Sequence, residues 1–181
     1  MSGTVTRFGI GDPVPPFTLP DPDGGQHAVP LDPAPAATVL VVTCNHCPYA
    51  IAWTPRLNAV ADDYADRGVR FLGIHPNDAG RYPADSIDHI RRHAREGRWT
   101  YPQLHDESQE IARALGAEVT PHVFVLDGGQ RLAYVGAPDG DHGDKSQNAG
   151  WLRVALDAVL DGRPVERPET PARGCSVKWR S

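Results

Sequence analysis

The stretch of sequence that decides the fold is Ala37-Thr-Val-Leu-Val-Val-Thr43, followed at once by Cys44-Asn-His-Cys47 and Pro48. The run from Ala37 is apolar or β-branched without alternation, which is typical of a strand buried on both faces of a sheet. Pro48 is well suited to the first turn of a helix, so we expect a helix from about residue 48 to about residue 66. The pattern therefore predicts a Cys-x-x-Cys pair at the junction of a buried strand and a helix.

Further elements follow on both sides of this junction. They are predicted as a hairpin at 17–19 and 27–31, a buried strand at 69–75, surface helices at 85–96 and 107–115, paired strands at 119–127 and 131–135, and a helix at 151–160. The order is β-α-β-α-α-β-β-α, which indicates an α/β fold with a central mixed sheet flanked by helices. We predict one domain over residues 1–181, with residues 1–36 as an N-terminal extension and residues 163–181 as an extended C-terminal tail.

Composition and charge exclude several classes of protein. The chain has 181 residues, with 18 basic and 23 acidic side chains and a formal net charge of −5. This balance leaves little room for a basic patch, so we predict no nucleic-acid partner. No run approaches the roughly 18–20 apolar residues that span a bilayer, so we predict no membrane partner either. Residues 1–8 lack the apolar core of a signal peptide, and we therefore expect a cytoplasmic protein.

The chain contains three cysteines, Cys44, Cys47 and Cys175. An odd, small number in a cytoplasmic protein argues against a framework of structural disulfides and favours catalytic or metal-binding thiols. A helix N-terminus stabilises a thiolate, and the two-residue spacing allows one thiol to attack a mixed disulfide formed by the other. The pair could instead be half of a zinc site, but the sequence has no second Cys-x-x-Cys to complete it. We therefore predict a redox-active pair, no metal and no cofactor.

Several segments together resemble the peroxiredoxin-like branch of the thioredoxin superfamily, which is grouped with the alkyl hydroperoxide reductase/thiol-specific antioxidant proteins. They are Gly11-Asp-Pro-Val-Pro-Pro-Phe17, Leu19-Pro-Asp21, Cys44-Asn-His-Cys-Pro-Tyr49, Tyr82-Pro-Ala-Asp-Ser86, Leu104-His-Asp-Glu-Ser-Gln109 and Gly174-Cys-Ser-Val-Lys-Trp179. The resemblance implies a thioredoxin-like fold in which a cis-proline loop, here Thr120-Pro121, faces the Cys-x-x-Cys and guides the substrate chain.

The resemblance also implies an antioxidant thiol-disulfide oxidoreductase with Cys44 and Cys47 as catalytic residues. Its partners would be a disulfide-bonded protein, a small-molecule disulfide or a hydroperoxide, together with a thiol electron donor. We expect Cys44, at the strand end, to be the attacking thiolate of lower pKa and Cys47 to resolve. A thiol peroxidase is the first alternative, and a zinc-binding or scaffold protein is a weaker one.

Two departures from the family patterns bear on this choice. Peroxidatic cysteines follow the pattern P-x-x-x-[TS]-x-x-C, whereas the residue three before Cys47 is Cys44 and the residue three before Cys44 is Val41. Thioredoxins carry a buried strand carboxylate six positions before the first cysteine, where this chain has Thr38. The first departure weighs against a peroxidase, and the second removes the usual acceptor for the proton of a buried thiol.

Three further residues have a predicted or open role. Asn45 and His46 lie between the two cysteines as supporting residues, and an imidazole there would favour the reduced pair unless it simply points to solvent. Cys175 is either a third, resolving thiol or a small residue that holds the tail by packing. We expect the tail to dock on the domain and to bury most of Trp179, because a large apolar side chain gains from leaving water.

Overall fold

The computed structural model describes residues 8–181. Its strands are β1 (Phe17–Pro20), β2 (Gln26–Val29), β3 (Ala37–Val42), β4 (Val69–His75), β5 (Gln103–His105), β6 (Val119–Thr120), β7 (His122–Leu126), β8 (Leu132–Gly136) and β9 (Cys175–Ser176). Its α-helices are α1 (Pro48–Tyr64), α2 (Ile87–Arg95), α3 (Glu110–Leu115) and α4 (Gly150–Leu160).

Five of these strands form a mixed sheet in the order β5-β4-β3-β7-β8. Strand β3 lies at its centre, parallel to β4 and antiparallel to β7. All six residues of β3 are buried, as the unbroken apolar run predicts. The predicted α/β fold with a central mixed sheet is therefore confirmed, and the carboxyl end of β3 leads directly to Cys44.

Successive side chains of β3 pack into two hydrophobic cores on opposite faces of the sheet, because the side chains of a strand point alternately to the two faces. Val39 and Val41 pack with α1 and α4 in one core. Leu40 and Val42 pack with α3 and the β1-β2 hairpin in the other. Both cores pack against β3, the strand that leads to the cysteines, and this packing fixes the position of its carboxyl end.

The structure corrects several element predictions. Strand β5 was not predicted; it adds to the sheet edge parallel to β4. The single strand expected at 119–127 is two strands, because the chain leaves β6 at Pro121 and enters the sheet only at β7. The two surface helices begin later than expected, at Ile87 and Glu110, and Ser86 caps the first of them by accepting from the backbone N–H of His89.

The C-terminal tail docks on the domain, as predicted. Its strand β9 pairs antiparallel with β6, with Thr120 opposite Cys175. Trp179 is partly buried against the second core, and the guanidinium of Arg113 lies 4.3 Å from the centre of its ring. No helix within residues 8–181 is long and apolar enough to cross a membrane.

Candidate active site

Cys47 occupies the N-cap of α1, directly before Pro48 at the first helical position. The backbone carbonyl of Cys47 accepts the first helical hydrogen bond from the N–H of Ile51 at 2.9 Å. The positive end of the helix dipole and the unpaired N–H groups of the first turn therefore converge on Cys47. Cys44 lies three residues earlier in the chain, between the end of β3 and the start of α1.

Both cysteines are buried against the loop that precedes β7. Cys44 is 3% exposed and Cys47 is fully buried. The Sγ of Cys44 lies 3.4 Å from the hydroxyl of Thr120, and the Sγ of Cys47 lies 3.2 Å from the Thr120 carbonyl oxygen, to which it donates when protonated. The Thr120–Pro121 bond is cis, as the resemblance implied. Thr120 and Pro121 thus lie at the predicted place, opposite the two thiols.

The pKa of Cys47 is lowered from its ordinary 9.0 to about 4. The largest cause is a hydrogen bond from the Cys44 thiol to the Cys47 sulfur; the Cys175 thiol and the backbone N–H groups of Ala50 and Cys175 add to it, while burial opposes it. A thiolate that receives several hydrogen bonds is the nucleophilic form of cysteine. Cys47 is therefore the thiol whose ionised form the site favours.

The other two thiols remain protonated. The pKa of Cys44 is raised, first because its thiol donates to Cys47 and then because it is buried. Burial, followed by the contact with Cys47, raises the pKa of Cys175 to about 11. The expectation that Cys44 has the lower pKa of the pair is therefore wrong. The helix begins after Cys47, so its dipole and N–H groups act on Cys47 rather than on Cys44.

A buried carboxylate, Asp85, holds the backbone of the Cys-x-x-Cys segment. It is 2% exposed and accepts hydrogen bonds from the Asn45 backbone N–H at 2.8 Å and from the Asn77 side chain at 2.9 Å. The Asn45 side-chain amide donates to the Ala84 carbonyl, and the Asn45 backbone carbonyl accepts from the Arg98 guanidinium, both at 2.9 Å. Asn45 is thus a positioning residue that ties the two cysteines to the turn around Asp85.

His46 lies at the surface of the site, beside a buried acid. It is exposed, yet its Nδ1 lies 2.7 Å from a carboxylate oxygen of Asp85. Its ring stacks on Tyr82, with the ring centres 5.9 Å apart and the planes 4° from parallel. The imidazole is therefore held in one orientation at the edge of the site, with a buried acid behind it.

Cys44, His46 and Asp85 form a compact triad. One potential ligand or proton-transfer atom from each residue lies within 4.8 Å of the others. This geometry could hold a metal ion, which the sequence did not suggest because Asp85 is distant along the chain. The same geometry brings an imidazole with a carboxylate partner close to a protonated thiol.

Cys175 reaches the same cluster from the tail. It packs against Cys44, Cys47 and Ala50, and is only partly buried, whereas the other two cysteines are buried. The structure thus brings all three thiols of the chain together, although 128 residues separate Cys47 from Cys175 in sequence. This position of Cys175 is compatible with both roles predicted for it, namely packing of the tail and thiol exchange.

Two further polar residues, Thr38 on β3 and His75 on β4, are buried in the central sheet. Thr38 is fully buried and its hydroxyl has no hydrogen-bond partner among the described residues, so the strand provides no proton acceptor there. His75 is buried and contacts Gln103 through Nε2 at 2.7 Å, and burial lowers its pKa from 6.5 to about 4. His75 is a neutral core histidine, whereas Asp85 is the buried residue in contact with the Cys-x-x-Cys segment that the sequence did not reveal.

Comparison with known proteins identifies the relatives of this chain. A family model described as "AhpC/TSA family" matches residues 10–135. No curated protein sequence matches the chain significantly. The family match confirms the resemblance noted from the sequence motifs.

Solved structures reproduce the whole fold. An uncharacterized conserved protein from Geobacillus kaustophilus is 36% identical, with a TM-score of 0.90 over 97% of this chain and 94% of that one. A hypothetical protein from Sinorhizobium meliloti 1021 is 31% identical, with a TM-score of 0.89 over 96% of both chains. A thiol:disulfide interchange protein of the thioredoxin family from Chlorobium tepidum TLS is 19% identical, with a TM-score of 0.65 over 84% of this chain and 98% of that one. These similarities confirm the thioredoxin-like fold.

Proposed function

Because the chain belongs to the AhpC/TSA family and is a thiol-based redox enzyme, we propose that it is a thiol-disulfide oxidoreductase in which Cys47 attacks and Cys44 resolves. The observation that carries this proposal is the placement of the Cys47 thiolate between two protonated thiols at a helix N-terminus. Such a cluster allows disulfide bonds to form and to be transferred without any further group.

The proposed cycle has two exchanges. The Cys47 thiolate attacks one sulfur of a disulfide, which forms a mixed disulfide and releases the other sulfur as a thiolate that takes up a proton. Cys44 then loses its proton and attacks the Cys47 sulfur, which releases the second substrate thiol and leaves a Cys44–Cys47 disulfide. A thiol donor, either a small thiol or a thioredoxin, returns two electrons and restores both thiols.

We assign the removal of the Cys44 proton to His46, with Asp85 as the residue that positions it. One ring nitrogen of His46 lies within 4.8 Å of the Cys44 sulfur, and His46 Nδ1 lies 2.7 Å from the buried Asp85. The separation from the sulfur is longer than a hydrogen bond, so the proton would pass through a water molecule or after a small rotation of the ring. A carboxylate hydrogen-bonded to an imidazole fixes the orientation of the ring. This pair would perform the task for which the strand position Thr38 has no carboxylate.

The Asp85→Asn variant tests this assignment. We expect the single-turnover resolution of a Cys47 mixed disulfide to slow by about tenfold to a hundredfold at neutral pH, since general base catalysis is typically worth this much or more. We also expect the loss to shrink at alkaline pH, where hydroxide can take the proton. Asp88→Asn, on the exposed face of the same region, is the matched control. A uniform loss at every pH would reduce Asp85 to a structural residue.

A thiol peroxidase is the second candidate, and the low pKa of Cys47 favours it. In the frame of Cys47, Cys44 takes the Thr or Ser position of the peroxidatic pattern, and its thiol donates to the Cys47 sulfur as a hydroxyl would. The Cys47 thiolate would then attack a hydroperoxide, release an alcohol and form a sulfenic acid. Cys44 would condense with it and release water.

A three-part assay on the wild-type protein separates the functions. We expect the protein to reduce a protein disulfide with a thiol donor. With the same donor, we expect the rate of peroxide consumption to be at least about tenfold lower than the rate of disulfide reduction. Freshly purified protein should contain less than one zinc ion per chain. Faster peroxide consumption than disulfide exchange would establish the peroxidase. One zinc ion per chain that is lost in Cys44→Ser would establish the metal site instead.

A further inference from the structure

Strand β9 of the tail occupies the backbone edge beside the two catalytic cysteines. It pairs Ser176 with Val119 and Cys175 with Thr120, and the Val177 N–H donates to the Glu118 carbonyl at 3.0 Å. The sequence resemblance implied that Thr120 and Pro121 present this edge to an extended substrate chain. In the structure, the chain's own tail lies there.

The tail is held in this place from both sides of Cys175. On one side, Gly174 passes so close to the Thr120 carbonyl that a Cβ at this position would collide with it. On the other side, the Lys178 N–H donates to the Asn77 side chain at 2.9 Å, and the Lys178 carbonyl accepts from Gln109 at 2.9 Å. These contacts make the approach of Cys175 to the cluster a built feature of the fold.

Cys47 cannot be reached from solvent while the tail is docked. Its side chain is fully buried in a cluster with Cys44 and Ala50, and Tyr49 and Cys175 pack against that cluster. Cys175 is the partly exposed thiol of the three. An external sulfur can therefore react with Cys47 directly only if the tail moves. Alternatively, it exchanges first with the Cys175 sulfur, which then exchanges with Cys47.

We propose that Cys47 and Cys175 form a second, alternative disulfide, so that the tail acts as a built-in substrate strand and Cys175 as the sulfur through which external thiols exchange with the site. This proposal rests on the proposed function of Cys47 as the attacking thiolate. It extends that function by a third redox-active residue and an exchange partner within the same chain.

The chemistry balances with the reactants already named. When the tail has moved aside and Cys47 carries a mixed disulfide with a substrate sulfur, the returning Cys175 loses its proton and attacks the Cys47 sulfur. The Cys47–Cys175 bond forms, the bond to the substrate breaks, and the substrate thiolate takes up the proton. In the return direction, a donor thiol attacks the accessible Cys175 sulfur and frees the Cys47 thiolate, and a second donor thiol completes the reduction. Two electrons pass from two thiols to one disulfide in each direction.

The positions of the basic residues make this disulfide easy to map with trypsin. No Lys or Arg lies between Phe8 and Arg56, so both Cys44 and Cys47 fall in the peptide 8–56, whereas Cys175 falls in the five-residue peptide 174–178. The full chain is oxidised with a small-molecule disulfide, its free thiols are alkylated, and the digest is analysed by mass spectrometry. A cross-linked pair of these two peptides reports a bond to Cys175.

We expect the cross-linked pair in the wild type and in Cys44→Ser, and no pair in Cys47→Ser. Gly174→Val should reduce the pair by at least about tenfold, since an undocked tail loses the high effective concentration of its thiol. Ser176→Ala, an exposed neighbour of Cys175, is the matched control and should keep it. Circular dichroism of each variant identifies any that fails to fold, and the Cys44→Ser result then decides.

The outcomes separate this proposal from the proposed function. The role of Cys175 is overturned if the wild type exchanges disulfides and forms a bond only inside peptide 8–56, while Cys44→Ser forms no cross-link. That result leaves the proposed function of Cys44 and Cys47 intact. Absence of both bonds together with absence of exchange activity overturns the proposed function itself. A cross-link that persists in Cys47→Ser overturns the assignment of Cys47 as the partner.

Discussion

Replacement of Cys47 by serine is expected to reduce disulfide exchange by on the order of a thousandfold or more, because it removes the one ionised nucleophile of the cluster. The pKa of Cys47 is lowered to about 4, whereas burial and hydrogen bonding keep the Cys44 and Cys175 thiols protonated. Cys47→Ser also removes the hydrogen bond that most raises the pKa of Cys44, but burial still raises the pKa of both remaining thiols and disfavours their ionisation. The measurement is the initial rate of reduction of a protein disulfide with a fixed excess of thiol donor.

Cys44→Ser is the matched variant for this experiment. It keeps the attacking thiolate and a hydroxyl donor beside it, so the first exchange should proceed. A mixed disulfide between Cys47 and the substrate should accumulate to about one per chain when Cys175 is also replaced. If Cys44→Ser lost the first exchange while Cys47→Ser kept it, the order of attack proposed here would be reversed.

Replacement of Asp139 by alanine is expected to cause a large loss of stability. The Asp139 carboxylate is 1% exposed and accepts hydrogen bonds from the Trp53 indole at 2.8 Å, from Arg56 at 2.9 Å and from the Ala149 backbone N–H at 2.9 Å. Arg56 is itself only 10% exposed and also donates to three carbonyls of the loop around residues 141–144. Removal of Asp139 leaves a buried guanidinium without a counter-charge, and breaking a buried ion pair in this way typically costs about 3–5 kcal/mol.

Chemical denaturation and thermal melting measure this loss. We expect Asp139→Ala to lower the melting temperature by roughly 2–4 °C for each kcal/mol. Asp161→Ala is the control, because Asp161 pairs with Arg163 at 3.0 Å with both side chains more than half exposed. Such surface pairs contribute at most about 1 kcal/mol. Equal melting temperatures for the two variants would show that the Asp139 contacts do not stabilise α1, the helix that carries Cys47.

Central elements of the fold were predictable because their signals are local. The continuous apolar run of β3 and the Pro48 that follows it define a buried strand and the start of α1. Strand β5 was not predictable in this way. It has only three residues, and its formation depends on pairing with β4 rather than on its own pattern.

The candidate site was predictable only in part. The two cysteines and the Thr120-Pro121 loop follow from motifs, and the fold brings them together. Asp85 could not be found from spacing, because it contacts Asn45 across 40 residues through a turn of 3₁₀ type. The reversed order of the thiol pKa values, in contrast, could have been foreseen. A helix that begins at Pro48 already makes Cys47 its N-cap residue.

The central claim is that Cys47 carries the thiolate of the site, and a pH titration of thiolate absorbance in the far ultraviolet tests it most directly. The reduced wild-type protein should show one thiolate that forms as the pH rises through about 4 and that is fully present at neutral pH. The transition should persist in Cys175→Ala, shifted upward because one hydrogen bond to the thiolate is lost, and it should be absent in Cys47→Ser. A low-pH transition that survives in Cys47→Ser and disappears in Cys44→Ser would contradict the account.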